Sequence, residues 1–147
     1  MLDDFIETNG INAQILAFDE EVATSKRAQI VEKTLPIVKT IVLAHPQGFI
    51  LAVLPGKLKV DFFKIGKQVN TSSIRLATPE EVEKVTGYPV GGVPPISVYG
   101  TPTLIDEKVL QYDWVLAGGG TPHSLLKITP ADILANAYEP MVASITQ

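Results

Sequence analysis

Cysteine is absent from the 147 residues. That excludes disulfides, thiol nucleophiles and cysteine-ligated metals. Histidine is scarce: His45 and His123 are the only two. Neither has a histidine or carboxylate partner at ligand spacing, which argues against a metal site, and no cofactor is expected. There is no Gly-x-Ser-x-Gly elbow, and adjacent strand residues such as His123 and Ser124 point to opposite faces, so a serine triad is not expected either. No apolar run approaches the roughly 18–20 residues of a membrane span. The start, Met1-Leu2-Asp3-Asp4, lacks the basic-then-apolar layout of a signal peptide. The expectation is a cytoplasmic enzyme or binding module with no membrane partner.

What is present fits a packed globular protein: 46% hydrophobic and 19% charged residues. The length suits one domain spanning residues 1–147, since no linker, repeat or low-complexity segment divides it. The net charge of −4 argues against a protein that coats nucleic acid, and no DNA partner is expected. The charge is uneven, however. From Lys26 to Arg75 nine basic residues face only Glu32 and Asp61, a local +7. A basic face that touches a few phosphates is compatible with that segment, as is a solvated lysine-rich surface.

Local signals divide the chain into short elements. Leu2 to Thr8 reads as a helix closed by Asn9-Gly10. Ala13 to Phe18 reads as a strand. Thr24 is placed to cap a helix to about Lys33, with Ala28, Ile30 and Val31 inward. Ile37 to Ala44 and Phe49 to Leu54 are β-rich runs joined by His45-Pro46-Gln47-Gly48, a hairpin pattern. Val60 to Gln68 suits a short helix and Ser73 to Ala77 a strand. Thr78-Pro79-Glu80-Glu81 opens a helix with a cap, an N1 proline and a capping box, and Gly87 stops it. Strands are expected near Ile96–Tyr99, Thr103–Ile105, Trp114–Ala117 and Ser124–Ile128. A helical turn fits Asp106 to Tyr112, and a last helix opens at Thr129-Pro130 and runs to about Tyr138. Many consecutive strands lie too close for helical crossovers. The expected fold is therefore α/β (α+β), with a mixed, mostly antiparallel, barrel-like sheet flanked by short helices.

One stretch concentrates backbone chemistry: Thr86-Gly87-Tyr88-Pro89-Val90-Gly91-Gly92-Val93-Pro94-Pro95. Glycine allows close backbone approach, and proline fixes φ and removes a donor. The loop is built to present backbone groups, and its glycine and proline density serves no packing need evident from sequence. Lys39 is the second candidate. On a strand it shares a face with Ile37, Ile41 and Leu43, where a lysine is costly unless it pairs, lines a cavity or snorkels to water at a sheet edge. Asp106 ends the run Thr103-Leu104-Ile105 and suits either a helix N-cap or a carboxylate that orients Lys39 or binds an amino group. Gly118-Gly119-Gly120 is a turn between strands, since no Gly-Lys-Ser/Thr follows it.

Taken in order, these pieces resemble the YbaK/ProX family of aminoacyl-tRNA deacylases, which are related to the editing domain of bacterial prolyl-tRNA synthetases. The resemblance runs from about Ala13 to Tyr138. Gly91 and Pro95 match the family's Gly-three residues-Pro loop, Lys39-Thr40 its strand lysine, Thr103-Leu104-Ile105-Asp106 its strand ending in aspartate, and Gly118-Gly119-Gly120 its glycine-rich turn. Pro94 departs from relatives that carry a small polar residue there.

The resemblance implies hydrolysis, in trans, of the ester that holds a wrong amino acid on a tRNA. It implies catalytic roles for Lys39, Gly91, Gly92 and Asp106. It makes Val93, Pro94, Pro95, Gly118, Gly119 and Gly120 the walls of a substrate pocket for a small residue: Ala, Ser, Thr or Cys. The implied partner is the aminoacyl-tRNA acceptor end, with an aminoacyl-tRNA synthetase as a second candidate. The alternatives are a non-catalytic module of the same fold that holds aminoacyl-tRNA or a synthetase, and a hydrolase of small esters unconnected with tRNA.

Overall fold

The computed structural model describes all residues from Met1 to Gln147. Its centre is a hairpin of β2 (Val38–His45) and β3 (Gly48–Pro55), paired from Val38↔Pro55 to His45↔Gly48. The turn is thus Pro46-Gln47 alone, two residues shorter than the pattern suggested. β3 contributes to cores on both sides of the sheet, which explains its unbroken apolar run.

The hairpin anchors a five-stranded sheet in the order β4 (Arg75–Leu76), β2, β3, β5 (Thr103–Asp106), β8 (Pro140–Ala143). A three-stranded sheet follows the order β1 (Gln14–Ala17), β7 (Ser124–Ile128), β6 (Val115–Gly118). β3–β5 and β5–β8 are parallel and the other four ladders antiparallel. The sheets meet at a parallel bridge between Ile37 and Leu116, where the Leu116 amide donates to the Pro36 carbonyl at 2.9 Å. The result is the expected mixed, mostly antiparallel, barrel-like arrangement with short helices around it.

Strand alternation sorts the cores. Val38, Val42, Leu51, Val53 and Ile105 face a main core shared with Val115, Ala117, Leu126 and Ile128. Leu43, Ile50, Ala52, Leu54 and Leu104 face the other way, against Ile65 of α3 (Phe62–Val69) and Ile145. A third cluster, Phe18, Ala28, Leu116 and Leu125, lies beneath α2 (Lys26–Glu32).

Several local expectations are met. α1 spans Leu2–Thr8, and α4 (Pro79–Thr86) carries the Thr78–Glu81 capping box and ends on Gly87 at φ 79°. α5 (Pro130–Asn136) is capped by Thr129. A 3-10 turn occupies Glu107–Gln111 with Asp106 as its cap.

Three expectations are corrected. The cap of α2 is Ser25, whose Oγ accepts from the Ala28 amide at 3.1 Å, and not Thr24. Ile30 is 65% exposed because it lies about 200° around the helix from the buried Ala28. Ile96–Tyr99 is irregular rather than a strand: Ser97 has φ 67°, which breaks an extended run, while Ile96 and Val98 still reach the main core. One strand has no sequence signal. β8 begins with proline, and Pro140, Met141 and Val142 are exposed on the sheet edge, so no alternation marks it.

Candidate functional site

The glycine-proline loop is held at its start by α4. The Thr86 hydroxyl donates to Val82 O at 2.7 Å and accepts from the Tyr88 amide at 3.0 Å. Gly87 reverses the chain in the left-handed region. Tyr88 then turns inward and is only 3% exposed. Its phenol shares a 2.8 Å hydrogen bond with the Ser97 hydroxyl, and burial pushes its pKa up. The Gly92 amide donates to Pro89 O at 2.9 Å. Gly91, at φ 84°, sits exposed at the tip, while Val93, Pro94 and Pro95 are buried. The amides of Gly91 and Val93 donate to no acceptor within the protein.

Gly118-Gly119-Gly120 packs directly on this loop. The Gly120 amide donates to Gly92 O at 2.7 Å. A Cβ on Gly118 would run into the Val93 carbonyl, and one on Gly92 would lie 2.9 Å from the Thr121 nitrogen. One on Gly119 would lie 2.6 Å from the Ser124 carbonyl carbon. These glycines therefore have a packing reason that sequence did not disclose: two backbones touch where no side chain fits.

Two hydroxyls missed by the sequence reading fix the turn. Ser124 Oγ donates to Gly119 O at 3.0 Å and lies 2.8 Å from Thr121 Oγ1, which also accepts from the His123 amide at 3.1 Å. The available signal was a pair of hydroxyl residues three apart beside the glycine run. A cavity of about 580 Å³ opens beside the turn, bounded by Tyr88, Gly119, Gly120, Thr121, His123 and Ser124 and, across from them, by Leu2 and Asp3.

Lys39 and Asp106 lie outside this contact set. Lys39 is half-buried opposite Leu54, and its side chain makes no hydrogen bond or ion pair. It shares its side of β2 with Ile41 and Leu43, which pack toward α3, whereas Val93 and Ile96 belong to the main core on the other side. Asp106 is fully buried. Its carboxylate accepts from the Ile145 amide at 2.9 Å, the Lys108 amide at 3.2 Å and Thr146 Oγ1 at 3.4 Å, with Lys108 Nζ at 3.9 Å. Asp106 therefore caps the 3-10 turn and pins the C-terminal segment. The expectation that it orients Lys39 is not met, because its oxygens are committed to these partners. No group of three His, Asp or Glu residues is gathered that could hold a metal. No helix is long and apolar enough to cross a membrane.

A mixed barrel-like sheet bearing two interlocked backbone loops defines a class that comparison with known proteins makes specific. Residues 18–135 match the model of the aminoacyl-tRNA editing domain. The chain belongs to that family. It superposes on a crystal structure described as "a putative trans-editing enzyme for prolyl tRNA synthetase", with a TM-score of 0.87 and 34% identity over 99% of this chain and 94% of that one. It is 29% identical over 101 residues to the Enterococcus faecalis protein named "Putative Cys-tRNA(Pro)/Cys-tRNA(Cys) deacylase EbsC", an alignment covering 67% of this chain and 62% of that protein. It is 30% identical over 83 residues to the proline–tRNA ligase of Fervidobacterium nodosum, covering 56% of this chain and 14% of the ligase.

Proposed function

We propose that this protein hydrolyses, in trans, the ester of a tRNA mischarged with a small amino acid. The observation that carries the reading is the Gly91–Pro95 loop clamped on Gly118–Gly120 with the Gly91 and Val93 amides unspent. An aminoacyl ester is already an activated bond. Water adds to its carbonyl carbon, the carbonyl oxygen becomes an oxyanion, and the ribose oxygen leaves with a proton as the C–O bond breaks. Backbone N–H groups at fixed positions stabilise that oxyanion, and losing one such donor typically costs about 10²–10³ in rate. The vicinal ribose hydroxyl helps move the proton. In this reading the free Gly91 and Val93 amides serve the oxyanion, Gly92 fixes the loop through its bonds to Pro89 and Gly120, and Lys39, whose side chain has no internal partner, takes a phosphate of the tRNA end. Asp106 acts by holding the chain around β5 rather than by touching substrate.

Selectivity follows from stiffness. Val93, Pro94 and Pro95 are buried and cannot yield to bulk, so Ala, Ser, Thr and Cys are the candidate residues. The Enterococcus relative's name gives cysteine on either the proline or the cysteine tRNA, and the superposed structure's description names prolyl-tRNA synthetase; together they favour cysteine on the proline tRNA. The partners are the acceptor end of that tRNA and, secondarily, its synthetase, in the cytoplasm. A second reading, a non-catalytic holder of aminoacyl-tRNA, is favoured by one observation: neither Lys39 nor Asp106 contacts the glycine cluster. The test is turnover of charged tRNA by wild type and Lys39→Ala. Loss of at least about tenfold is expected for a cation that binds the reacting end. Near wild-type turnover in the folded variant removes Lys39 from the mechanism.

A further inference from the structure

We propose that a groove beside α2 holds the single-stranded 3′ end of the tRNA, with Lys33 and Lys57 on its phosphates and Tyr112 against a base. This deepens the deacylase reading and rests on it. The groove is a cavity of about 1120 Å³, larger than the one at the glycine turn. α2 and the segment after it form one wall, and Ile37, Pro55 and Gly56 at the open end of the β2–β3 hairpin form the floor. Single-stranded nucleic acid is gripped by a basic groove that tracks the backbone and an aromatic side chain that takes a base. Both parts are here. The ion pairs of the molecule involve Met1, Arg75 and Lys108, so Lys33 and Lys57 keep their charge for a ligand. Tyr112 is half-buried against the main core and makes no side-chain hydrogen bond.

The groove leads to Lys39. Ile37 lies in its floor and is two residues along the strand from Lys39, on the same side and about 7 Å away at the usual strand rise. Pro55, also in the floor, pairs with Val38, and its neighbour Leu54 pairs with Lys39. A strand lying in the groove therefore runs its last nucleotides toward that lysine. Lys39 thereby gains a role apart from the glycine cluster. Glu32 is the one acid in the groove. Burial pushes its carboxyl pKa above the usual carboxylate range.

The test uses an uncharged RNA tetranucleotide ending in CCA, with binding read by fluorescence anisotropy against salt. For Lys33→Ala/Lys57→Ala the slope of log affinity against log salt falls by about 1.4, two phosphates at about 0.7 each. Tyr112→Ala weakens binding about tenfold and Tyr112→Phe does not, as stacking requires; thermal melts show whether each variant is folded. Unchanged binding in the folded variants, or no binding by wild type, overturns the groove. Adenosine monophosphate competing as well as the tetranucleotide overturns it in favour of a free-nucleotide site. On charged tRNA the same variants raise KM and leave kcat alone. Wild-type deacylation with an unaltered KM in these variants sinks the groove and leaves the enzyme standing. Groove-dependent tetranucleotide binding by a protein that deacylates nothing sinks the enzyme and leaves the groove.

Discussion

Replacing Gly118 with alanine tests whether backbone contact organises the site. Gly118 lies in β6 and is not among the glycines with positive φ. At such a position Gly→Ala ordinarily stabilises by about 0.4–1 kcal/mol, because the unfolded chain loses freedom. Here the new Cβ meets the Val93 carbonyl oxygen and carbon, and the Gly92 carbonyl carbon at 3.2 Å. These are backbone atoms and cannot swing aside as a flexible side chain would. Overpacking of this kind costs about 1–3 kcal/mol, which reverses the sign. For a chain of this size each kcal/mol is worth about 2–4 °C, so Tm should fall by about 2–12 °C. The displaced part is the Gly91–Pro95 loop, so deacylation should fall with it. Thermal melts followed by circular dichroism give the first number, and turnover of charged tRNA gives the second. A Tm equal to or above wild type, with full activity, would show that the two loops are not in contact.

Other parts of the account are open to equally direct checks. Asp106→Ala strands the buried Ile145 amide and the Lys108 amide, and should cost at least about 2 kcal/mol in urea unfolding, with Asp106→Asn losing less because an oxygen acceptor remains. Equal stability of all three proteins would contradict the anchoring role. Glu81 is held at about 2 rather than 4.5, first by the Arg75 guanidinium at 2.7 Å and then by the Thr78 amide. Its folded pKa is depressed, so its contribution is complete above the unfolded value and is lost as pH falls toward 2. The stability gap between wild type and Glu81→Gln should therefore close on acidification from about pH 6. A gap that persists or widens near pH 2 refutes the pairing.

The sequence disclosed what local chemistry determines. Thr78, Pro79, Glu81 and Gly87 delimit α4 through caps whose donors and acceptors lie within one turn. The β2–β3 hairpin and β7 were legible because long apolar runs pair across a short connection. Elements set by distant contacts were not. Ile96–Tyr99 has a strand's composition, but no partner strand reaches it and Ser97 takes positive φ to meet Tyr88. β8 pairs only with β5 and buries little, so its residues carry no pattern.

The candidate site divides in the same way. The Gly91–Pro95 loop and the Gly118–Gly120 turn stood out by composition, yet their mutual contact joins segments about thirty residues apart in sequence. Asp106 was visible as a cap. Its hold on Ile145 and Thr146 spans 39 and 40 residues, beyond the reach of any local rule.

The most direct measurement is hydrolysis of a proline tRNA charged with Ala, Ser, Thr, Cys or Pro, set beside the corresponding free aminoacyl esters. The account predicts rapid release of at least one small residue from the tRNA, slower turnover of the free esters, and retention of the cognate proline. Absence of release from every charged tRNA, with tRNA still bound, would contradict it and make the chain a non-catalytic holder. Free esters hydrolysed as fast as charged tRNA would instead remove the tRNA from the function.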